Sequence, residues 1–103
     1  MTAWIYFLHP PRDDFAATMT AEEKAVWAEH FRRLQRLLDS GQLILAGPTL
    51  GPVNTGLVIF DAPDEQAARQ VMEEDPVVRG GYARGEVRPF RVSLMRGRTE
   101  ADD

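Results

Sequence analysis

The chain has no cysteine, which excludes disulfides, thiolate nucleophiles and zinc–thiolate centres. No apolar run approaches the ~20 residues that span a bilayer, so no membrane partner is expected. Basic charge is not in excess: 12 Lys and Arg stand against 16 Asp and Glu, a formal net charge of −4. That balance argues against a nucleic-acid partner, whose phosphates demand a basic stripe. Arginines do gather late in the chain, from Arg79 to Arg98, and are expected to form a solvated strand face. Phosphate loops of the forms G-x-x-x-x-G-K-[ST] and G-x-G-x-x-G do not occur. Ser40 and Ser93 sit in no nucleophile elbow. With 2 histidines and no H-x-x-x-H spacing, neither a metal site nor a bound organic cofactor is expected. The opening MTAWIYFLHPPRDD lacks a basic leader and a small-residue cleavage site, which leaves a cytoplasmic protein as the expectation.

What remains is an ordinary globular composition, 44% hydrophobic and 27% charged over 103 residues, enough for one core. Residues 1–96 are expected to form a single domain and 97–103 (GRTEADD) a disordered tail. Ala3 to Leu8 reads as a strand closed by Pro10-Pro11, followed by an irregular connection. Thr20 and Glu23 form a T-x-x-E capping box at a helix start. Val26, Trp27, His30, Phe31, Leu34, Leu37 and Leu38 then share one face at helical spacing, and Gly41 supplies the left-handed stop. Strands are expected at Gln42–Ala46 and Thr55–Phe60, joined by the turn-rich GPTLGPVNTG. A second helix starts at Pro63, carries Ala67, Val71 and Met72, and stops at Asp75-Pro76. A last strand is predicted over Glu86–Met95.

Strand, helix, strand, strand, helix, strand is the ferredoxin-like split β-α-β-β-α-β order, an α+β fold with both helices on one face of an antiparallel sheet. A sheet with one wet face should alternate apolar and polar residues. Here Ile5 and Phe7 oppose Trp4, Tyr6 and Leu8, Leu43 and Leu45 oppose Ile44 and Ala46, and Leu57 and Ile59 oppose Val58 and Phe60. Two helices cover only one apolar face, and no residues remain for a lid. The expectation is a homodimer whose sheets meet face to face.

The pattern H-x-x-x-L-x-x-L-x-x-x-G-x-L-x-x-A-G-P runs through His30, Leu34, Leu37, Gly41, Leu43, Ala46, Gly47 and Pro48. A D-P-x-x-x-x-G turn at Asp75-Pro76 and Gly80 follows, then E-V-x-P-F from Glu86 to Phe90. Together they resemble the YCII-related (YciI-like) family. The resemblance implies a dimeric α+β barrel with a histidine and an aspartate in a pocket, matched here by His30 and Asp75. It also implies, from a few relatives, action on small hydroxylated or halogenated ring compounds. His9 stands where family members often carry an aspartate, and Trp27 where many carry an arginine.

His30 lies inside an apolar stripe, where it is either a neutral core histidine or part of a functional pocket. Burial disfavours the imidazolium and a nearby carboxylate restores it, so such a pair suits general acid–base work. Asp75 has a structural role of its own, since Asp before Pro terminates helices by bonding backbone amides. Tyr6 and His9, on the first strand, are candidate substrate-binding residues. Two functions follow. One is a small cofactor-free enzyme, an isomerase or lyase, in which His30 moves a proton on a small cyclic or carbonyl compound and Asp75 orients it. The other is a non-catalytic domain that binds a small molecule or a regulatory partner, with the pair as a satisfied polar network.

Overall fold

The computed structural model describes residues 2–97, so the predicted tail from residue 98 onward lies outside the described residues. The chain runs β1 (Thr2–His9), α1 (Phe15–Thr18), α2 (Ala21–Asp39), β2 (Leu43–Pro48), β3 (Gly56–Ala62), α3 (Glu65–Glu73), α4 (Pro76–Arg79) and β4 (Arg84–Pro89). The strands form one sheet in the order β2-β3-β1-β4, every neighbouring pair antiparallel. This is an α+β fold of the ferredoxin-like type. Trp4, Tyr6, Leu8, Val58, Phe60 and Ala62 project from the inner face of the sheet into a core completed by Leu34, Ala68, Met72 and Val77.

Local signals place the long helix α2 where the sequence predicts it. The Thr20 hydroxyl accepts from the Glu23 amide at 3.1 Å, and the Glu23 carboxylate accepts from the Thr20 amide at 2.8 Å, a complete capping box. At the other end Gly41, with φ +87°, lets Gln42 N–H reach Leu37 O and Gly41 N–H reach Leu38 O. That pairing satisfies the last carbonyls of α2 and turns the chain into β2. Gly85 answers a different need, because a Cβ there would lie 2.8 Å from Met72 Sδ where β4 runs under α3.

Several expectations need correction. The connection after Pro11 is not wholly irregular: Phe15–Thr18 form a short helix, held by Arg12, which donates to Thr18 Oγ1 and Thr18 O and bidentately to Glu23. The second helix starts later than Pro63, with Asp64 as its N-cap accepting from the Ala67 amide. Asp75-Pro76 stops α3 and at once begins α4. Leu43 and Leu45 do not share a face. Leu43 pairs with Phe60 and Leu45 with Ile59, leaving Ile44 as the extra residue of a bulge that reverses the alternation. Leu43 therefore joins the inner core.

β4 ends at Pro89, not Met95, where it nears the start of its partner β1 at Thr2, and Phe90 N–H still bonds Ala3 O at 3.0 Å. Residues 90–95 instead line a cleft of about 160 Å³ together with Ile44, Leu45 and Ile59. The chain thus brings a segment of its own against part of the outer face, contrary to the expectation that no residues were left for it. Ile5 and Ile59 are buried there, while Leu45, Leu94 and Met95 stay exposed.

Candidate active site

The helical stripe on α2 is divided in the structure. His30 and Leu34 turn into the protein, whereas Phe31 and Leu38 are 61% and 55% exposed. The buried side leads from His30, one turn along, to Arg33. Facing it is the α3–α4 junction, where Asp75 caps α4 by accepting from the Val77 amide at 3.1 Å. Pro76 at the first helical position fixes the chain there, since its missing N–H would have had no partner. The cap geometry turns the Asp75 carboxylate inward, toward α2 and β1.

Asp75 is wholly buried and His30 is 8% exposed. His30 Nδ1 stands 2.7 Å from Asp75 Oδ2 and 2.9 Å from Oδ1. The Tyr6 hydroxyl, reaching from the inner face of β1, donates to Asp75 Oδ2 at 2.5 Å. Arg33 NH1 lies 4.0 Å from the same oxygen and is buried without a hydrogen-bond partner, while NH2 donates to Val71 O at 2.8 Å. Burial is the largest single influence on Asp75 and works against its charge. The His30 hydrogen bond and charge, the Tyr6 hydroxyl and the Val77 amide together outweigh it and hold the carboxyl below its ordinary value. Tyr6 is pushed far the other way, first by burial and then by the Asp75 charge beside it, so its phenol stays protonated. A carboxylate can only accept, so Nδ1 of His30 carries the proton in this arrangement. That leaves Nε2, which has no hydrogen bond among the described residues, as the ring atom open to a ligand.

His30 also lines a cavity of about 650 Å³ between α2, the region of α1, and the β2–β3 end of the sheet. Phe31 and Leu38 form part of its wall, which accounts for their exposure. Phe15 and Trp27 continue the wall beside His30, with ring centroids 4.8 Å apart, and Trp27 is 6.0 Å from the imidazole. Arg12 holds this side in place, its guanidinium 5.0 Å over the Phe15 ring and its NH groups on Glu23.

The structure therefore brings His30, Asp75 and Tyr6 into one network, with only His30 reaching the cavity. Tyr6 is fully buried behind Asp75. His9 is elsewhere: it projects from β1 on the outer face, where Nε2 meets Glu86 at 3.0 Å and the ring stacks on Phe7. Strand alternation separates the two, because an odd position on β1 cannot share a face with Tyr6. Arg33 was not singled out in the sequence. Its i+3 spacing from His30 was the available signal, hidden in a run of charges that reads as solvent-facing. Among the described residues no three metal-ligating side chains come together, and no helix is long and apolar enough to cross a membrane.

Against known proteins, the model of the YCII-related domain matches residues 3–91. No curated protein matches the chain. Among solved structures, it is similar to 5-chloro-2-hydroxyhydroquinone dehydrochlorinase from Burkholderia phenoliruptrix AC1100 in complex with 2,5-dihydroxybenzoquinone. That likeness has a TM-score of 0.64 and 20% identity, and covers 88% of this chain and 94% of the other. At that identity it is a likeness of fold.

Proposed function

The chain belongs to the YCII-related family, and on that premise we propose that it is a small enzyme, an isomerase or lyase. In this reading the His30–Asp75 pair moves a proton on a small cyclic or carbonyl compound held in the cavity beside α2. One observation carries it: among the described residues, the only titratable side chain lining that cavity is His30, with Nδ1 bonded to Asp75 and Nε2 left free.

The chemistry follows from the geometry. Nε2 takes a proton from a substrate C–H or O–H, and the imidazolium so formed is stabilised by the Asp75 carboxylate at Nδ1. The electron pair released on the substrate forms a new double bond. In an isomerisation the proton returns at another atom, and in an elimination a leaving group departs with its bonding pair. Tyr6 and Arg33 act one step back, keeping Asp75 ionised and aimed. The similar structure's name, a dehydrochlorinase seen with a dihydroxybenzoquinone, supports elimination on a ring compound as the class of reaction. The same proposal includes a homodimer joined through the outer sheet face, where Leu94 and Met95 remain exposed.

The test is proton exchange in D2O with a panel of cyclic ketones and hydroxylated or chlorinated ring compounds, followed by NMR and by chloride release. The wild-type protein is expected to catalyse exchange or release on at least one compound, and His30→Asn to abolish it while remaining folded. Equal rates for both proteins across the panel would leave a ligand-binding domain without catalysis.

A further inference from the structure

Resting on the reading of His30 as the residue that meets substrate, we infer that the cavity selects an uncharged, largely apolar ring compound presenting one polar edge to His30. It excludes carboxylates and phosphates.

The argument begins with what the wall lacks. Among the described residues no Lys, Arg, Asp or Glu lines the cavity, and its polar side chains are His30, Gln35 and Asn54. Asn54 is committed to its own loop, its Nδ2 donating to Thr49 O at 2.8 Å. Two arginines beside lining residues and the Asp75 network, Arg12 and Arg33, are committed as well. Arg12 is spent on Glu23 and Thr18, and Arg33 on Val71 O and the buried Asp75. An anion entering this space would give up its hydration and meet no lysine or arginine, only an imidazole already paired to Asp75. Behind the imidazole stands a carboxylate, which disfavours a second negative charge further.

What the wall does offer is aromatic surface. Phe15, Trp27 and His30 form a continuous panel, suited to offset or edge contact with a flat ring. A volume of about 650 Å³ falls in the range that encloses a drug-sized ligand, and exceeds what a single six-membered ring fills. A fused or substituted ring system satisfies both requirements, with its hydroxyl or carbonyl edge at Nε2.

The experiment compares 1-naphthol with 1-naphthoate, which share a ring system and differ in charge. Binding is read from tryptophan fluorescence and from the ring resonances of His30. Naphthol is expected to bind at least about tenfold more tightly, because only the naphthoate must be desolvated without a partner. Leu38→Arg, on the exposed lip, is expected to reverse much of that preference by supplying a cation. Equal or tighter naphthoate binding to the wild-type protein overturns the inference, as does a preference that Leu38→Arg leaves unmoved. If naphthol binds only by converting dimers to monomers in sedimentation, a second copy fills the cavity and the inference also falls. The reading of His30 as a catalyst fails separately. A wild-type protein that prefers naphthol but turns over nothing sinks the enzyme alone. Turnover confined to anionic compounds sinks the substrate class alone.

Discussion

His30 and Asp75 lie 45 positions apart in the chain and 2.7 Å apart in the fold, one on the buried side of a long helix and the other capping a short one. Their contact ties α2 to the α3–α4 junction, and its polarity sets most of what can be measured. A buried carboxylate with four neighbouring groups is costly to disturb, because each group left without its partner has already lost its water.

Replacing Asp75 tests that directly. Asp75→Asn keeps a group that can still accept from Val77, but removes the charge facing Nδ1 and Arg33. A loss of about 3–5 kcal/mol is expected in urea unfolding, as for breaking a buried pair, together with loss of any catalytic turnover. A variant as stable as the wild type would show that the carboxylate contributes nothing net.

The acid limb of stability carries the same signature. Asp75 is held below its ordinary carboxyl value of 3.8, so the unfolded chain takes up a proton first as pH falls. The stabilisation is complete above that value and is lost as pH drops through the lower, folded one. Glu23, held to about 2 chiefly by the Arg12 hydrogen bond, titrates in the same direction. Denaturation midpoints measured from roughly pH 5 down to pH 2 should decline, and Asp75→Asn should flatten the curve more than Arg12→Ala does.

Tyr6 gives the opposite limb. Its phenol is raised above the ordinary 10.0, so below that pH both states are neutral and its contribution is whole. Above it only the unfolded chain ionises, and stability falls as pH climbs. Tyr6→Phe is expected to cost about 1–3 kcal/mol at neutral pH by leaving Asp75 short of a donor. It should also remove this alkaline decline, which a pH series of unfolding curves would read.

In the proposed reaction Arg33 is expected to bear on activity more than on folding. Its buried NH1, 4.0 Å from Asp75 Oδ2, favours the ionised carboxylate that the imidazolium needs. Arg33→Gln is expected to move the acid limb of the pH–rate profile to higher pH, and Arg33→Lys to restore most of it. A profile unchanged by either substitution would mark the guanidinium as a tie to Val71 alone.

The outer face makes a separate prediction. Sedimentation of the wild-type protein is expected to show a dimer. Leu94→Asp should weaken it at least about tenfold, since burying a leucine contributes roughly 1.5–3 kcal/mol. A monomeric wild-type protein at micromolar concentration would leave segment 90–95 as this face's cover among the described residues.

How much of this was legible in the chain depended on range. The capping box at Thr20 and Glu23, the stop at Gly41 and the turn at Asp75-Pro76 are set by bonds to near neighbours, and each was readable. The family pattern pointed to His30 and Asp75, but nothing in their spacing fixed a distance. The bulge at Ile44 escaped because a slip in pairing depends on β3, not on the β2 sequence itself. Phe31 and Leu38 read as core because apolarity does not say whether a helix meets a sheet or an open cavity. Arg33 went unremarked because an arginine is recognised as buried only once its partners are known. His9 was drawn into the site by its chemistry, and strand alternation put it on the far side.

Asp75 follows one helix, caps the start of the next and grips the imidazole, the last two through a single side chain. Selection cannot relax one of these duties while keeping the others. A descendant that abandoned the chemistry would shed its histidine first and keep the aspartate for architecture. An aspartate surviving opposite a vacated position 30 would thus be the fossil of a lost reaction.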